Sequence, residues 1–272
     1  MTARDQPPVP ARPGRGIDYE RHSVGYARQR RADPRIAALI DAALGDARTV
    51  VNVGAGAGSY EPPDRHVIAI EPAAAMRAQR PPLLAPAIAA HAEALPLDDG
   101  SVDAAMAVVT IHHWQDPAAG LRELRRVARG PVVVLTVDPD ALDRLWLTDY
   151  LPETLADDRA RFPPIDAVAQ ALGGATATPV AIPHGCTDGF LEAFYHRPEA
   201  FLDPAVRAAQ SIWPRLPPGA EERAVAALRR DLISGAWDDR WGFLRDAPAF
   251  DGAFRLVVAP PATGPATGPA AA

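Results

Sequence analysis

An apolar run, Val50-Val51-Asn52-Val53, passes directly into Gly54-Ala55-Gly56-Ala57-Gly58, and a second apolar run, Val67-Ile68-Ala69-Ile70, ends on Glu71. This pairing constrains the fold more than any other stretch of the chain. Short runs that are apolar on both faces are strands of a sheet covered on both sides. Glycine lets the backbone turn sharply and lets a ligand lie against it with no Cβ in the way. A carboxylate at the carboxyl end of the neighbouring strand can accept hydrogen bonds from ribose hydroxyls. Together these features describe a pocket for an adenosine-containing ligand at the ends of two adjacent parallel strands.

The rest of the chain alternates strand and helix, the rhythm of a mostly parallel sheet. Asp33-Pro34 places a cap before a proline at the first helical position, and Ile36, Leu39, Ile40, Ala43 and Leu44 form one apolar face ending at Gly45. Strands are expected at 49–53, 66–70, 102–109 and 132–137, with a weak one at 87–90. Asp116-Pro117 opens a second capped helix with Leu121, Leu124 and Val127 inward. Beyond it, 140–173 reads as helix in two pieces broken at Phe162-Pro163-Pro164, 176–182 as a strand, and 254–258 as the last strand. The fold class is therefore α/β and Rossmann-like: a seven-stranded, mostly parallel sheet with helices on both faces. The stretch 183–250 is a helical insertion before the last strand, placed to cap the carboxyl edge of the sheet, where ligands bind in such folds. The Pro- and Arg-rich residues 1–16 and the Pro-Ala-Thr-Gly repeat of 260–272 are expected to be disordered. The domain proper spans 17–259, divided into an N-terminal lid and helix (17–46), a ligand-binding core (47–139), helices with the sixth strand (140–182), the cap and the last strand.

At 272 residues the chain can bury a full core. Its net charge of −6 argues against nucleic acid as the main partner, because phosphate binding needs a basic surface. No run is apolar for long enough to span a bilayer, and the N-terminus lacks the apolar stretch of a secretory signal. The single cysteine, Cys186, fits a reducing cytoplasm. A metal site is not expected: the histidines are scattered, and adjacent His112 and His113 on a strand would point apart.

The segment after the glycine turn narrows the ligand. Ser59-Tyr60-Glu61-Pro62-Pro63-Asp64 offers two acids and two prolines where a dinucleotide pocket needs a helix N-terminus facing a pyrophosphate. Further on come Ala92-Glu93-Ala94-Leu95-Pro96-Leu97, then Asp98-Asp99-Gly100-Ser101-Val102-Asp103. Val108-Val109-Thr110-Ile111-His112-His113-Trp114 and Leu121-Arg122-Glu123-Leu124-Arg125-Arg126-Val127 complete the series. In order and spacing this succession resembles the class I S-adenosylmethionine-dependent methyltransferases of the small-molecule type, across roughly residues 17–140.

The resemblance implies a cofactor, S-adenosyl-L-methionine, with S-adenosyl-L-homocysteine as product. It puts Gly54, Ala55 and Gly56 beside the methionine part, Glu71 and Pro72 at the ribose, and Met76, Glu93, Ala94 and Leu95 around the adenine. Val109 and Thr110 then line the methyl-transfer site. It further implies that Tyr19, Tyr26 and Arg30 belong to a lid closing over the cofactor, with Arg28 and Arg31 as alternatives to Arg30. For the acceptor side, His112 and His113 stand at the end of the fourth strand, and a histidine titrates near neutrality. Tyr150 and His184, the latter with Asp188 to orient it, are further candidates in an aromatic-rich cap. The expected activity is methyl transfer to an oxygen or nitrogen of a small-molecule or modified-peptide acceptor of specialised metabolism. The alternatives are an NAD-dependent oxidoreductase on a related fold and a non-catalytic binder of the same methyl donor. The sequence is silent on oligomeric state.

Overall fold

The computed structural model describes residues 31–261. The lid candidates Tyr19, Tyr26 and Arg30, and most of both tails expected to be disordered, lie outside the described residues. The main sheet has six strands in the order β2-β1-β3-β4-β8-β5, with β1 Thr49–Val53, β2 His66–Ile70, β3 Ala104–Val108, β4 Val132–Val137, β5 Thr176–Pro179 and β8 Phe254–Ala259. β1 pairs parallel with β2 and β3, and β3 with β4; β8 runs antiparallel between β4 and β5. Strands β6 (Ile182–Pro183) and β7 (Ala249–Phe250) form a separate two-stranded ladder.

Six strands stand where the sequence suggests seven. The missing one is 87–90, which contributes only a bridge between Ile70 and Ile88. Pro86 leaves no donor before that run and its alanines pack poorly on a pleated surface, so pairing stops after one residue. The expected strand at 176–182 is split: Pro179 lacks an N–H, the ladder with β8 ends there, and the chain bends so that Ile182 joins β7 instead. The break between helices Glu153–Arg161 and Ile165–Ala171 falls at Phe162-Pro163-Pro164, as the prolines require.

Side chains alternate across the sheet, and so do the cores. Val50, Ala104, Met106, Val133 and Leu135 face one cluster, with Ile36, Ile40 and Leu44 of helix Pro34–Leu44 and the buried aromatics of the cap. Val51, Val53, Ala105, Ala107, Val132 and Val134 face the other, with Leu121, Leu124 and Val127 of helix Pro117–Val127. The caps are those the sequence announces. Asp33 accepts from Arg35 N at 2.9 Å, and Asp116 accepts from Ala119 N at 2.9 Å. The Arg35 guanidinium bonded to Asp33 holds that buried carboxyl well below the usual carboxylate range. No helix among the described residues is long and apolar enough to cross a membrane.

Candidate active site

The turn leaving β1 is built on positive φ. Gly54 has φ +72° and Gly56 φ +52°, which favour glycine on conformational grounds alone. Gly54 has a second constraint: a Cβ there would overlap Thr110 Oγ1 and come within 2.8 Å of Thr110 Cβ. Gly54 N and Ala55 N both donate to Ile70 O at 2.9 Å, pinning the turn to the end of β2. No helix follows Gly58 directly; residues 59–65 are turns and irregular chain leading to β2. Glu61 does not stand there as a bare anion. It pairs with Arg80 at 2.8 Å, both side chains nearly fully buried, and accepts from Asn52 Nδ2 at 3.1 Å.

Glu71 closes the other side. Its Oε2 accepts from Gly56 N and its Oε1 from Ala73 N, each at 2.9 Å. Each carboxylate oxygen retains a lone pair, so the group, held in place by backbone, can still accept from two ribose hydroxyls. Met76 is buried, with its methyl 3.3 Å from where a Gly56 Cβ would stand, so it lies across the turn. Pro72, next to Glu71, accepts at its carbonyl from Arg77 Nη1 at 2.6 Å. In the Ala92–Leu97 segment, Glu93 braces the start of helix Pro117–Val127 by accepting from Gln115 N and Asp116 N. Leu95 is buried, its N–H held by Glu123, while Ala94 is exposed.

β3 leads from this turn into a second space. Val109 leaves the strand with φ +51°, a strained conformation for a β-branched residue and one found mainly at functional sites. Thr110 packs on Gly54, while Val109, His112 and His113 line a cavity of about 120 Å³. Its other walls are mostly apolar, including Leu145, Phe162, Phe190, Ile212 and Phe254. His112 and His113 sit in a 3-10 turn, Ile111–His113, not on a strand. Their rings therefore lie together, centroids 3.8 Å apart, and His112 also meets Phe162 at 4.4 Å.

Polar side chains also enter this lining, Asp158, Arg161, Glu192 and Gln210 among them. Asp158 is tied to Arg161 at 3.3 Å and to Arg215 at 2.6 Å. Gln210 donates to Gly189 O. Glu192, 6% exposed, accepts from Ala253 N at 2.7 Å, and burial pushes its carboxyl up to about 7.

Two expected residues are elsewhere. The Tyr150 hydroxyl donates to Asp231 at 2.8 Å, and its ring packs on Trp146 beside helix Ala220–Ser234, away from the cavity wall. Burial and that carboxylate hold its phenol in the protonated form. His184 stacks on His196 at 4.1 Å and bonds Arg245 O at 3.1 Å, also off the cavity. Its expected partner Asp188 instead accepts from the Tyr60 hydroxyl at 2.9 Å. Most aromatics of the cap, Phe194, Tyr195, Phe201 and Trp237 among them, are core, as is Trp146 before it. Glu192 and the Asp158–Arg161 pair escape a reading of the sequence because nothing local distinguishes them from solvated acids; only the fold of the cap buries them.

A model of the methyltransferase domain family known as Methyltransf_11 matches residues 51–134. A solved Anabaena variabilis protein described as a methyltransferase from an antibiotic biosynthesis pathway is 30% identical. The match covers 85% of this chain and 98% of that one, with a TM-score of 0.78. The geranyl diphosphate C-methyltransferase of Streptomyces coelicolor, solved with Mg2+, geranyl diphosphate and S-adenosyl-L-homocysteine, is 16% identical. That match covers 83% of this chain and 77% of that one, with a TM-score of 0.44, too distant to inform the acceptor. No curated protein matches the sequence. The glycine turn pinned to β2, the carboxylate after β2 and the relative spanning nearly the whole domain lead to one assignment: the chain belongs to the class I S-adenosylmethionine-dependent methyltransferases.

Proposed function

We propose that the chain methylates an oxygen or nitrogen of a small-molecule or modified-peptide acceptor with a largely apolar body, bound under the cap. The observation that carries this reading is the junction at Val109–Thr110. One residue packs against the cofactor turn at Gly54 and the other lines an apolar cavity with His112 and His113. Bound S-adenosylmethionine supplies a methyl already activated by the sulfonium charge. The protein's own work is then alignment and exclusion of water.

In this reading Gly54, Ala55 and Gly56 let the methionine half lie flat on backbone. Glu71 and Pro72 receive the ribose, and Met76, Glu93, Ala94 and Leu95 surround the adenine. Val109 and Thr110 separate donor from acceptor. His112 or His113 hydrogen-bonds the acceptor; Tyr150 and His184 take no part, being engaged with Asp231 and with His196 and Arg245 O. Residues 183–250 form the acceptor lid, and Tyr19, Tyr26 and Arg30 the cofactor lid. An acidic chain with a cavity of this character suits specialised metabolism in a reducing cytoplasm better than nucleic-acid modification.

Methyl-labelled donor offered to a panel of apolar hydroxy and amino compounds, and separately to RNA and DNA, tests the reading. Label on an acceptor oxygen or nitrogen supports it. Label confined to nucleic acid, or to acceptor carbon, contradicts it.

A further inference from the structure

We propose that Glu192 receives the hydrogen bond of a phenol-like hydroxyl on the acceptor and takes its proton, so that the acceptor is an apolar ring compound bearing an acidic hydroxyl. This rests on the methyltransferase reading of the cavity and names the acceptor class within it.

The geometry singles out this carboxyl. Glu192 lines the same cavity as His112 and His113, on the 3-10 turn Leu191–Phe194 within the cap. One oxygen, Oε1, is used by Ala253 N; the other, Oε2, is buried and has no hydrogen-bond partner among the described residues. The carboxyl packs against Gly252, with Oε2 the nearer oxygen; a Cβ there would overlap it, so residue 252 must be glycine for Glu192 to lie where it does. The other acid in the lining, Asp158, has its charge met by Arg161 and Arg215. The two cations whose charge reaches Glu192, Arg255 and Arg144, are paired with Asp138 and Asp251, each at 3.1 Å. A buried acceptor atom without a partner, on a residue that lines an apolar cavity, is completed by a ligand or an ordered water once a small side-chain rotation brings it to the wall.

The chemistry selects among ligands. A neutral amine attacks without first losing a proton, so it has no need of a buried base; a hydroxyl does. Arg255 and Arg144 favour the charged carboxylate and Asp251 opposes it, but burial outweighs them and sets the group near 7. A base of that strength is within reach of a phenol, at about 10, and far below an alkyl alcohol. In the step itself the O–H bond breaks, its proton passing to Glu192 Oε2 and its electron pair staying on oxygen. That oxygen bonds to the methyl carbon as the carbon–sulfur bond breaks, its pair going to sulfur. Carboxylate and sulfonium become neutral acid and thioether, and the proton then leaves to water.

The test compares 4-nitrophenol with nitrobenzene, which lacks the hydroxyl, on the full chain saturated with S-adenosylhomocysteine. For the wild type, 4-nitrophenol is expected to bind at least tenfold tighter than nitrobenzene. Glu192→Gln is expected to bind S-adenosylhomocysteine as the wild type does and to lose that preference. Equal binding of the two probes by the wild type, or failure to bind either, overturns the proposal; so does a Glu192→Gln variant that keeps the preference. If the variant does not fold, the wild type decides alone. The infrared carbonyl band of its protonated buried carboxyl must then move with 4-nitrophenol and not with nitrobenzene, and a band indifferent to both overturns it. Absence of S-adenosylhomocysteine binding by the wild type overturns the methyltransferase reading itself and this inference with it.

Discussion

Thr110 occupies the space that a side chain at Gly54 would need, so the end of β3 and the turn after β1 fit together only because one of them has no Cβ. Gly54→Ala adds two penalties, the overlap with Thr110 and a φ of +72°. It should cost on the order of 1–3 kcal/mol in stability. It should also weaken S-adenosylhomocysteine by more than tenfold, read by calorimetry. Adding Thr110→Ala relieves the overlap but not the dihedral, so the double variant should recover part of the stability. Full stability in Gly54→Ala alone would refute the packing relationship.

Glu71 is fixed by Gly56 N and Ala73 N. Removing it takes away a charged acceptor for the ribose and leaves two N–H groups without their partner. Glu71→Ala should weaken S-adenosylhomocysteine by a factor of ten or more, corresponding to about 1–3 kcal/mol. Unchanged affinity in a folded variant would remove Glu71 from the site.

The Arg80–Glu61 pair lies almost wholly out of solvent beneath the glycine turn. Truncating one partner of a buried pair leaves the other charge uncompensated, which costs about 3–5 kcal/mol. Arg80→Ala should therefore lower stability in urea unfolding by an amount in that range. A loss within the ordinary range for a surface substitution would mean the pair is solvated.

Two buried groups give opposing pH dependence. Glu192 is raised by burial from 4.5 to about 7, so the folded state keeps a proton that the unfolded chain has lost. Its contribution falls as pH rises from about 4.5 to about 7 and stays lost above. His196 is lowered from 6.5 to about 4, by burial first and then by nearby His184, so its contribution is lost as pH falls through that window. In the wild type the two offset. Glu192→Gln removes the first alone, so its stability should climb more steeply from pH 4.5 to 7 than the wild type's, by roughly 3 kcal/mol at most. Parallel urea-derived stability curves for the two proteins would contradict the burial of Glu192.

What the sequence disclosed is what is locally determined. The β1 turn, the carboxylate after β2, the Asp33 and Asp116 caps and the break at Phe162-Pro163-Pro164 each depend on a few adjacent residues and stand as read. The strand at 87–90 depended on an edge pairing that alanines and Pro86 do not sustain. Apolar periodicity ends the strand near Val109 but does not reveal the positive φ there or the 3-10 turn that brings the His112 and His113 rings together. Tyr150 and His184 were attractive as chemistry, but their partners Asp231 and Arg245 are 81 and 61 residues away, and only the packed cap brings them together. Glu192 was missed for the same reason, since its burial comes from Gly252 and Ala253 on the far side of the insertion.

A crystal structure of the chain with S-adenosylhomocysteine tests most directly whether donor and acceptor meet at Val109–Thr110. The ribose should lie within hydrogen-bonding distance of Glu71, the amino-acid half along Gly54–Gly56, and the sulfur toward the cavity of His112 and Glu192. A ligand bound with its sulfur away from that cavity, or without contact to Glu71, would contradict this arrangement.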